Sequence, residues 1–248
     1  MVIETELEAD IPAAEEFLSE GLITEVLAPL KSGKEATTYL CRAGHGLGPQ
    51  HAVLKVYHER SHRNFANDAV YQEGRVILNG QVRRATAKKT EFGREAQSAM
   101  WVDHEYEVLS TLFDAGADVP EPFASNEHAL LMAFVGEGTV AAPQLQHAQL
   151  SRREAEGALD RLAWNVQAWL GVHIIHADLS AFNVLWDGER PVIIDFPQAV
   201  DARFSPSARS LLERDLTNLG RYFGRHGLTL DAARETARLW DWWKFGAH

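Results

Sequence analysis

Residues 174–196, IIHADLSAFNVLWDGERPVIIDF, constrain the fold more strongly than any other stretch of the chain. The apolar runs NVLW and PVIID are joined by DGER, and an Asp-Gly pair between two such runs is the strongest short-range signal for a β-hairpin. Asn183 begins the first run and Asp195 ends the second, so antiparallel pairing brings both to the same open end. Asp178 lies on the loop that leads in. The sequence therefore predicts three oxygen-bearing side chains at one end of a hairpin.

This arrangement suits a magnesium nucleotide. Mg²⁺ prefers oxygen ligands and usually takes only one or two carboxylates, with phosphate oxygens and water as the rest. Asn183 and Asp195 would hold the cation and leave Asp178 for a reacting group. The alternative is that these residues only cap loops and turns, as isolated Asp and Asn residues commonly do. Asp195 follows VII directly, at the buried end of a strand, and this position favours the ligand interpretation.

The rest of the chain predicts an α+β protein with a β-rich N-lobe and a short helical C-lobe. With 248 residues and 46% hydrophobic content, it is long enough for one large domain or two small lobes. We place the N-lobe at 1–135 and the C-lobe at 136–248, with a flexible, basic insertion at about 61–94. The predicted elements are strands in 22–30, 37–43, 51–57 and 129–136 and helices in 12–20, 91–115, 151–172, 207–225 and 230–245.

Charge and cysteine content restrict the possible partners and compartments. The net charge is -11, which disfavours non-specific binding of nucleic acid and docking on an anionic membrane. The single cysteine, Cys41, rules out an internal disulfide and favours a reducing compartment. The first ten residues, MVIETELEAD, lack the features of a signal peptide, and no apolar run is long enough to span a membrane. We therefore expect a cytoplasmic protein.

Two charged residues in apolar surroundings form a second, independent signal. Lys55 is the centre of the apolar strand AVLKVY, where a lysine is unfavourable to bury alone. Glu105 lies in a helical stripe with Trp101, Val108 and Leu112. Each residue needs a partner, so we predict a Lys55–Glu105 pair that directs the lysine towards phosphates.

The turn KSGKEA, residues 31–36, is a third and weaker signal. It separates two predicted strands and does not match the P-loop pattern G-x-x-x-x-G-K-[ST]. Ser32, Gly33 and Lys34 are suited to cover phosphates with backbone N–H groups and side chains. A plain hairpin turn would look similar.

Together these motifs resemble the RIO family of atypical serine/threonine protein kinases. SGKEA is similar to its shortened nucleotide loop, LKVY to its lysine strand, and WVDHEYEVL to the helix with the paired glutamate. LLMAFVG resembles the hinge, and HADLSAFNVL and IIDFPQAVD resemble the family's most specific motifs. The resemblance runs from about residue 20 to 225. It favours the subfamily without a winged-helix module, with a bacterial member as the expected source.

The resemblance implies a two-lobed, protein-kinase-like fold without an activation segment. HAD stands where ordinary protein kinases have H-R-D, DFP replaces D-F-G, and no A-P-E follows. The missing platform for peptides puts routine phosphorylation of protein substrates in question. His176 is then expected to be a structural brace, because Asp178 already fills the role of the base.

The resemblance also implies a role for each site residue. Asp178, Lys55 and Asp195 would be catalytic, with Asp195 able to take up phosphate during hydrolysis. Asn183 and Asp195 would bind Mg²⁺, with Mn²⁺ as a substitute. The residues around ATP would be Ser32, Gly33, Lys34, Lys55, Glu105, Met132, Phe134 and Leu185.

The expected function is Mg-ATP-dependent kinase activity, including autophosphorylation, or ATP hydrolysis. Two alternatives stay open: a small-molecule phosphotransferase of the aminoglycoside-kinase type and a nucleotide-binding pseudokinase scaffold. The partners would be ATP and either the chain itself or an unidentified protein. The net charge does not support RNA or a ribosomal particle as a partner, and no membrane is expected.

Overall fold

The N-terminal part is built around an antiparallel sheet. The computed structural model describes residues 11–58 and 91–246 of the chain, with the backbone alone for 91–100. Helix α1, Pro12–Ser19, packs beside the sheet and buries Phe17. The sheet has the order β1-β2-β3-β5-β4. Its strands are β1 Ile23–Ser32, β2 Ala36–Ala43, β3 His51–Tyr57, β4 Pro122–Ser125 and β5 Ala129–Ala133.

Helix α2, Glu91–Asp114, packs against this sheet and confirms the helix predicted for 91–115. Its buried positions, Val102, Glu105, Leu109 and Leu112, recur every three or four residues. Residues 91–94 belong to this helix, so the end of the predicted insertion was placed four residues too late. The rest of that insertion, up to position 90, lies outside the described residues.

A tight hairpin follows the sheet at the point predicted to be the hinge. Its strands are β6, Gly136–Glu137, and β7, Val140–Ala141. A Cβ atom on Gly136 would overlap the Val140 carbonyl oxygen and the Phe134 ring, so glycine is required there.

The C-terminal part is mainly helical. Helix α3, Arg152–Gly171, begins with a capping box formed by Ser151 and Glu154. Helices α4, Ala208–Phe223, and α5, Ala232–Phe245, pack against each other, and a 3₁₀ turn, Gly224–His226, lies between them. Trp240, Trp242 and Trp243 pack against the main core. No helix in the described ranges is both long and apolar enough to cross a bilayer.

The predicted hairpin is present between α3 and α4. Strands β9, Val184–Trp186, and β10, Pro191–Ile193, pair antiparallel. Asp187 caps the turn by accepting hydrogen bonds from the N–H groups of Glu189 and Arg190, at 2.8 Å each. The hairpin is extended by residues 142–146, since Leu145 N donates to Val184 O at 2.7 Å.

The connection from the hairpin to α4 is short. It consists of residues 196–207 and contains β11, Val200–Asp201, which pairs with β8, Ile174–Ile175. A long activation segment does not fit into it, so the α+β, two-lobed fold is confirmed in this respect as well. One strand of the N-terminal sheet was not predicted: β4, Pro122–Ser125, is absent from the strands expected from the sequence.

Candidate active site

A cavity of about 530 Å³ lies between the two parts of the chain. Ligand pockets for small molecules commonly have this size. The apolar part of its lining includes Leu30, Val53, Met132, Phe134 and Leu185. The polar part of the lining includes Gly33, Lys34, Glu35, Lys55, Glu105, Asp178, Asn183 and Asp195. An apolar pocket with a few convergent polar groups suits a flat aromatic ring that carries charged groups.

Lys55 is the centre of the polar side of the cavity. Its Nζ atom lies 2.8 Å from both carboxylate oxygens of Glu105 and 2.7 Å from Asp195 Oδ1. We call these three residues the Lys55 cluster. Lys55 and Glu105 are buried, with 8% and 2% of their surface exposed, so the predicted pair is present. The contact with Asp195 adds a bond between the sheet and the hairpin that the sequence did not reveal.

The end of the hairpin brings the predicted oxygen donors together. The N–H of Ile194 donates to Asn183 O at 2.9 Å, which aligns Asn183 with the residue before Asp195. The Asn183 side-chain nitrogen donates to Asp178 O at 2.9 Å and to Asp178 Oδ2 at 3.3 Å. Its side-chain oxygen is therefore the atom that a cation would take.

A cation at this position would need ligands from a bound nucleotide. Within residues 11–58 and 91–246, no three His, Cys, Asp or Glu side chains are close enough to hold a metal ion by themselves. Asn183 and Asp195 do supply the amide and carboxylate oxygens that Mg²⁺ prefers. The donor set fits a cation that phosphate oxygens and water help to coordinate.

The electrostatics of the site separate the two aspartates. Burial raises the pKa of the Asp178 carboxyl group, and the Asp195 carboxylate raises it further. Burial also acts to raise the pKa of Asp195, but Lys55 outweighs it and holds that pKa below its usual range. Burial opposes the charge on Lys55, yet Asp195 and Glu105 together raise its pKa. The pKa of Asp195 is therefore lower than usual and that of Asp178 higher, so of the two carboxylates Asp178 has the greater affinity for a proton.

His176 supports the catalytic loop from the inside. It is 1% exposed, and its ring packs against Phe196 at 4.6 Å between centroids and against Trp169 at 6.0 Å. Nδ1 accepts a hydrogen bond from the Asp178 N–H at 3.3 Å, and Nε2 lies 3.2 Å from Ile194 O. Burial lowers the pKa of His176 to about 4. The predicted role as a brace is confirmed.

Helix α4 supplies two supporting residues that the sequence analysis did not identify. Asp215 accepts hydrogen bonds from the N–H groups of Ala177, at 2.8 Å, and Leu179, at 3.0 Å. Arg214 donates to Ala177 O. Ala177 has a φ of 62°, and these bonds stabilise that left-handed conformation just before Asp178. A buried acid in the otherwise apolar face of an amphipathic helix was the signal available for Asp215.

The predicted nucleotide loop is only partly confirmed as a lining of the cavity. Gly33 and Lys34 line it, whereas Ser32 does not. Ser32 ends β1, and its hydroxyl group lies 3.1 Å from Thr37 Oγ1, which in turn lies 2.8 Å from His58 Nε2. Glu35 lines the cavity and was not selected from the sequence. Burial, and then the charge of Asp195, raises the pKa of Glu35.

Met132, Phe134 and Leu185 line the cavity where the predicted hinge and adenine floor should lie. Met132 is paired with Val53 across the sheet, and the Phe134 ring makes an edge contact with His51 at 6.0 Å between centroids. The Ala133 N–H donates to Glu121 O at 2.8 Å, and Val135 O accepts from Ala142 N at 3.0 Å. Other backbone groups of 132–135 would have to bind a base.

The sequence was then compared with protein families. The RIO domain model matches residues 39–236, which include the Lys55 cluster, the catalytic loop and the hairpin. The chain belongs to the RIO family. This confirms the predicted resemblance to the RIO-type serine/threonine kinases.

Individual relatives include proteins named RIO1 and Rio2. Serine/threonine-protein kinase RIO1 of Homo sapiens is 29% identical over 220 residues, 88% of this chain and 37% of that protein. RIO-type serine/threonine-protein kinase Rio2 of Methanocaldococcus jannaschii is 31% identical over 222 residues, 88% of this chain and 74% of that protein. The chain thus spans little more than a third of the human RIO protein. The predicted subfamily and bacterial source stay predictions.

A solved structure supports the fold independently. The Rio2 kinase of Chaetomium thermophilum, determined as a complex with ADP, Mg²⁺ and phosphoaspartate, superposes with a TM-score of 0.66 at 21% identity. The match covers 94% of this chain and 67% of the Rio2 chain. The similarity shows that this RIO protein shares the kinase-like fold of Rio2.

Proposed function

We propose that this RIO protein is a Mg²⁺-dependent ATP phosphotransferase. It transfers the γ-phosphate of ATP to a Ser or Thr hydroxyl group, on itself or on a protein partner, or to water. The observation that carries this proposal is the Lys55 cluster, in which one buried lysine contacts Glu105 and Asp195 within the cavity that Asp178 and Asn183 also line. A buried charged pair is weak evidence of stability by itself, but this pair lines the cavity, which favours a functional role.

Binding follows from the two sides of the cavity. We assign adenine to the apolar side, between Val53, Met132 and Leu185, with its edge at the backbone of 132–135. The phosphates would lie at Lys55 and under the Gly33–Glu35 turn. Glu105 is a positioning residue, because it reaches the nucleotide only through Lys55.

The residues of the hairpin would complete the phosphate end. Asn183 and Asp195 would hold Mg²⁺, which would supply positive charge to offset the charge of the phosphates. Lys55 contributes a further positive charge there. Asp195 has a φ of 73°, a conformation that Asp tolerates better than most residues, and it directs the carboxylate to Lys55.

Transfer to a hydroxyl group requires little from the protein beyond alignment. The hydroxyl oxygen bonds to the γ-phosphorus, the bond from that phosphorus to the β–γ bridging oxygen breaks, and ADP leaves. Asp178 takes the hydroxyl proton, for which its raised pKa is favourable. The brace of His176 and Asp215 keeps the Asp178 backbone in place.

Hydrolysis is the second route, and it suits a chain with no room for a long activation segment between Asp195 and α4. The Rio2 structure from Chaetomium thermophilum contains a phosphoaspartate. By analogy, an Asp195 oxygen would bond to the γ-phosphorus as ADP leaves, and water would then hydrolyse the acyl phosphate and restore the carboxylate. Such a cycle would switch a partner between two nucleotide states.

The test uses purified protein with γ-labelled ATP and Mg²⁺ and no added substrate, next to the variants Asp195→Ala and Asp160→Ala. Asp160 is an exposed aspartate on α3 and serves as the matched control. Free phosphate and label on the protein are both followed, and the label is treated with acid and with hydroxylamine. We expect turnover in the wild type and in Asp160→Ala and none in Asp195→Ala.

The chemistry of the label separates the two routes. Label that is stable to acid and hydroxylamine marks Ser or Thr and indicates a kinase. Free phosphate together with a hydroxylamine-labile label indicates hydrolysis through Asp195. Binding of ATP with neither product would refute both routes and leave the small-molecule phosphotransferase or the pseudokinase.

A further inference from the structure

A second buried ionic cluster lies outside the cavity, in the link between α2 and β4. Its centre is Asp118, which is only 3% exposed. It is surrounded by Arg161 and Asn165 of α3 and by Arg190 of the β9–β10 turn, and we call these four residues the Asp118 cluster. Asp118, Arg161, Asn165 and Arg190 are all described residues, and none of them lines the cavity.

Both carboxylate oxygens of Asp118 are fully engaged. Oδ1 accepts from Arg161 Nη2 at 3.0 Å and from Arg190 Nη1 at 3.1 Å. Oδ2 accepts from Arg161 Nε at 2.5 Å and from Asn165 Nδ2 at 2.7 Å. A carboxylate with four donors has no capacity left for a ligand, so this cluster is not a binding site.

The backbone of Asp118 is tied to the same elements. Its N–H donates to Asn165 Oδ1 at 2.8 Å, and its carbonyl accepts from the Ile193 N–H at 2.8 Å. Ile193 is the last residue of β10 and is paired with Val184, next to Asn183. The loop that ends α2 therefore holds the free edge of the strand that leads to Asp195.

Helix α2 is joined to the hairpin at a second point as well. Glu105 Oε1 accepts from the Phe196 N–H at 3.0 Å, directly after Asp195. The segment 193–196 is consequently fixed on one side by the Asp118 loop and on the other by Glu105. Asp195 lies between these two attachments, in a left-handed conformation that needs support from its surroundings.

We infer that Asp118 is a positioning residue for the metal-dependent part of nucleotide binding. Its carboxylate locks the α2–β4 link to α3 and to the hairpin turn, and so keeps Asp195 and Asn183 at the spacing that a shared cation needs. This inference rests on the proposed function. Adenine binding, which uses the hinge and the apolar side of the cavity, does not depend on the cluster.

The test measures the affinity of the β,γ-imido analogue of ATP by calorimetry, once with EDTA and once with Mg²⁺. The dissociation constant in EDTA divided by the dissociation constant in Mg²⁺ reports how strongly the cation supports binding. We expect Asp118→Ala to lower this ratio by about tenfold, the low end of the loss for a group bonded directly to a metal ligand, because Asp118 acts through Ile193 and Arg190. The affinity in EDTA should stay within about threefold of the wild type, because adenine binding does not depend on the cluster.

Two further variants separate positioning from a general loss of stability. Asp118→Asn keeps the size of the side chain and is the variant to use if Asp118→Ala does not fold; we expect it to lower the ratio less than Asp118→Ala does. Phe17→Leu weakens a core that lies away from the hairpin and should lower the melting temperature with the ratio unchanged.

The results distinguish this inference from the proposal beneath it. A wild-type ratio near one would mean that no cation joins the nucleotide, and the proposed function would fail together with the inference. A wild-type ratio well above one, with the same ratio in a folded Asp118→Ala or Asp118→Asn variant, would refute the inference alone.

Discussion

The Lys55 cluster ties the hairpin to α2, and the Asp118 cluster ties it to the link that follows α2, but the two are built in opposite ways. In the Lys55 cluster the cation is buried and two carboxylates surround it, next to the cavity. In the Asp118 cluster the anion is buried, and its two arginines keep 41% and 60% of their side-chain surfaces exposed. Lys55 has three donors and faces three carboxylate oxygens, so a phosphate can replace one of them. The Asp118 carboxylate accepts four hydrogen bonds from protein side chains and lies outside the cavity, so a ligand cannot replace one of its partners. The first arrangement suits chemistry, and the second suits the maintenance of geometry.

Breaking the chemical side of this comparison should give the largest effect. Asp195→Ala removes a cation ligand and should reduce ATP turnover to background, while Asp178→Ala removes the proton acceptor and should reduce it by about a hundred- to ten-thousandfold. Phosphate release under saturating ATP measures both. Asp160→Ala is the matched control, and turnover near the wild-type rate in either active-site variant would contradict the assignment.

The geometric side should show its largest effect in stability. Asp118→Ala leaves the buried Asn165 without one of its acceptors, which costs about 1–3 kcal/mol. Arg161 keeps 41% of its side-chain surface exposed, so the loss of its ion pair adds less. Arg190→Ala removes only an exposed donor and should cost about 1 kcal/mol or less. Urea unfolding measures both free energies. Equal losses for the two variants would show that the cluster acts as an ordinary surface ion network.

Within the Lys55 cluster, substitutions of Lys55 and of Glu105 should both lower activity, to different extents. Lys55→Met should lower kcat/KM by about a hundredfold, since it removes the cation aimed at the phosphates. Glu105→Gln should cost less, because Lys55 keeps its contact with Asp195.

The double variant tests this coupling directly. Lys55→Met with Glu105→Gln should be no worse than Lys55→Met alone, because the glutamine can still accept from the Phe196 N–H and the lost charge acts through the lysine. Losses that simply add would mean that Glu105 has a separate role.

The last prediction concerns His176, which contacts the Asp178 N–H and Ile194 O. Its folded pKa of about 4 lies below the ordinary 6.5, so the neutral form is favoured in the folded state. The stability from this preference is present above pH 6.5 and is lost as the pH falls towards 4, by about 3 kcal/mol in all. Asp215, whose pKa burial raises to about 7, changes stability in the opposite sense over part of this range.

A difference measurement removes the contribution of Asp215. The free energy of unfolding is measured from pH 7 to pH 4 for the wild type and for His176→Gln, which can still donate to Ile194 O. We expect the wild type to lose more stability on acidification than the variant. Parallel curves would mean that His176 is not held neutral in the fold.

The sequence predicted the parts of the site that are local or chemically conspicuous. The hairpin followed from the Asp-Gly turn between two apolar runs, and the Lys55–Glu105 pair followed from two charges in apolar stripes. Both signals are visible because a buried charge or a tight turn stands out against its neighbours. Antiparallel pairing of the two strands then predicted that Asn183 and Asp195 lie at the same end of the hairpin.

The contacts that the sequence did not predict join distant segments through residues that look ordinary locally. Asp118 stands in GADVPEP, where an aspartate is typical of a turn, and its partners are 43 to 72 residues away. Asp215 lies on an amphipathic helix, where an acid is usually exposed. Ser32 was placed in the loop because the extent of β1 was underestimated. These differences concern how helices pack against the hairpin, which no local pattern encodes.

The central claim is that the hairpin end and the Lys55 cluster bind a metal nucleotide together. The most direct test is a crystal structure with ADP and Mn²⁺, in which anomalous scattering locates the cation without reference to a model. We predict an anomalous peak in contact with the side-chain oxygens of Asn183 and Asp195, with the phosphates at Lys55 and adenine against Met132 and Leu185. ADP bound with its phosphates away from Lys55, or a cation that touches neither Asn183 nor Asp195, would contradict the claim.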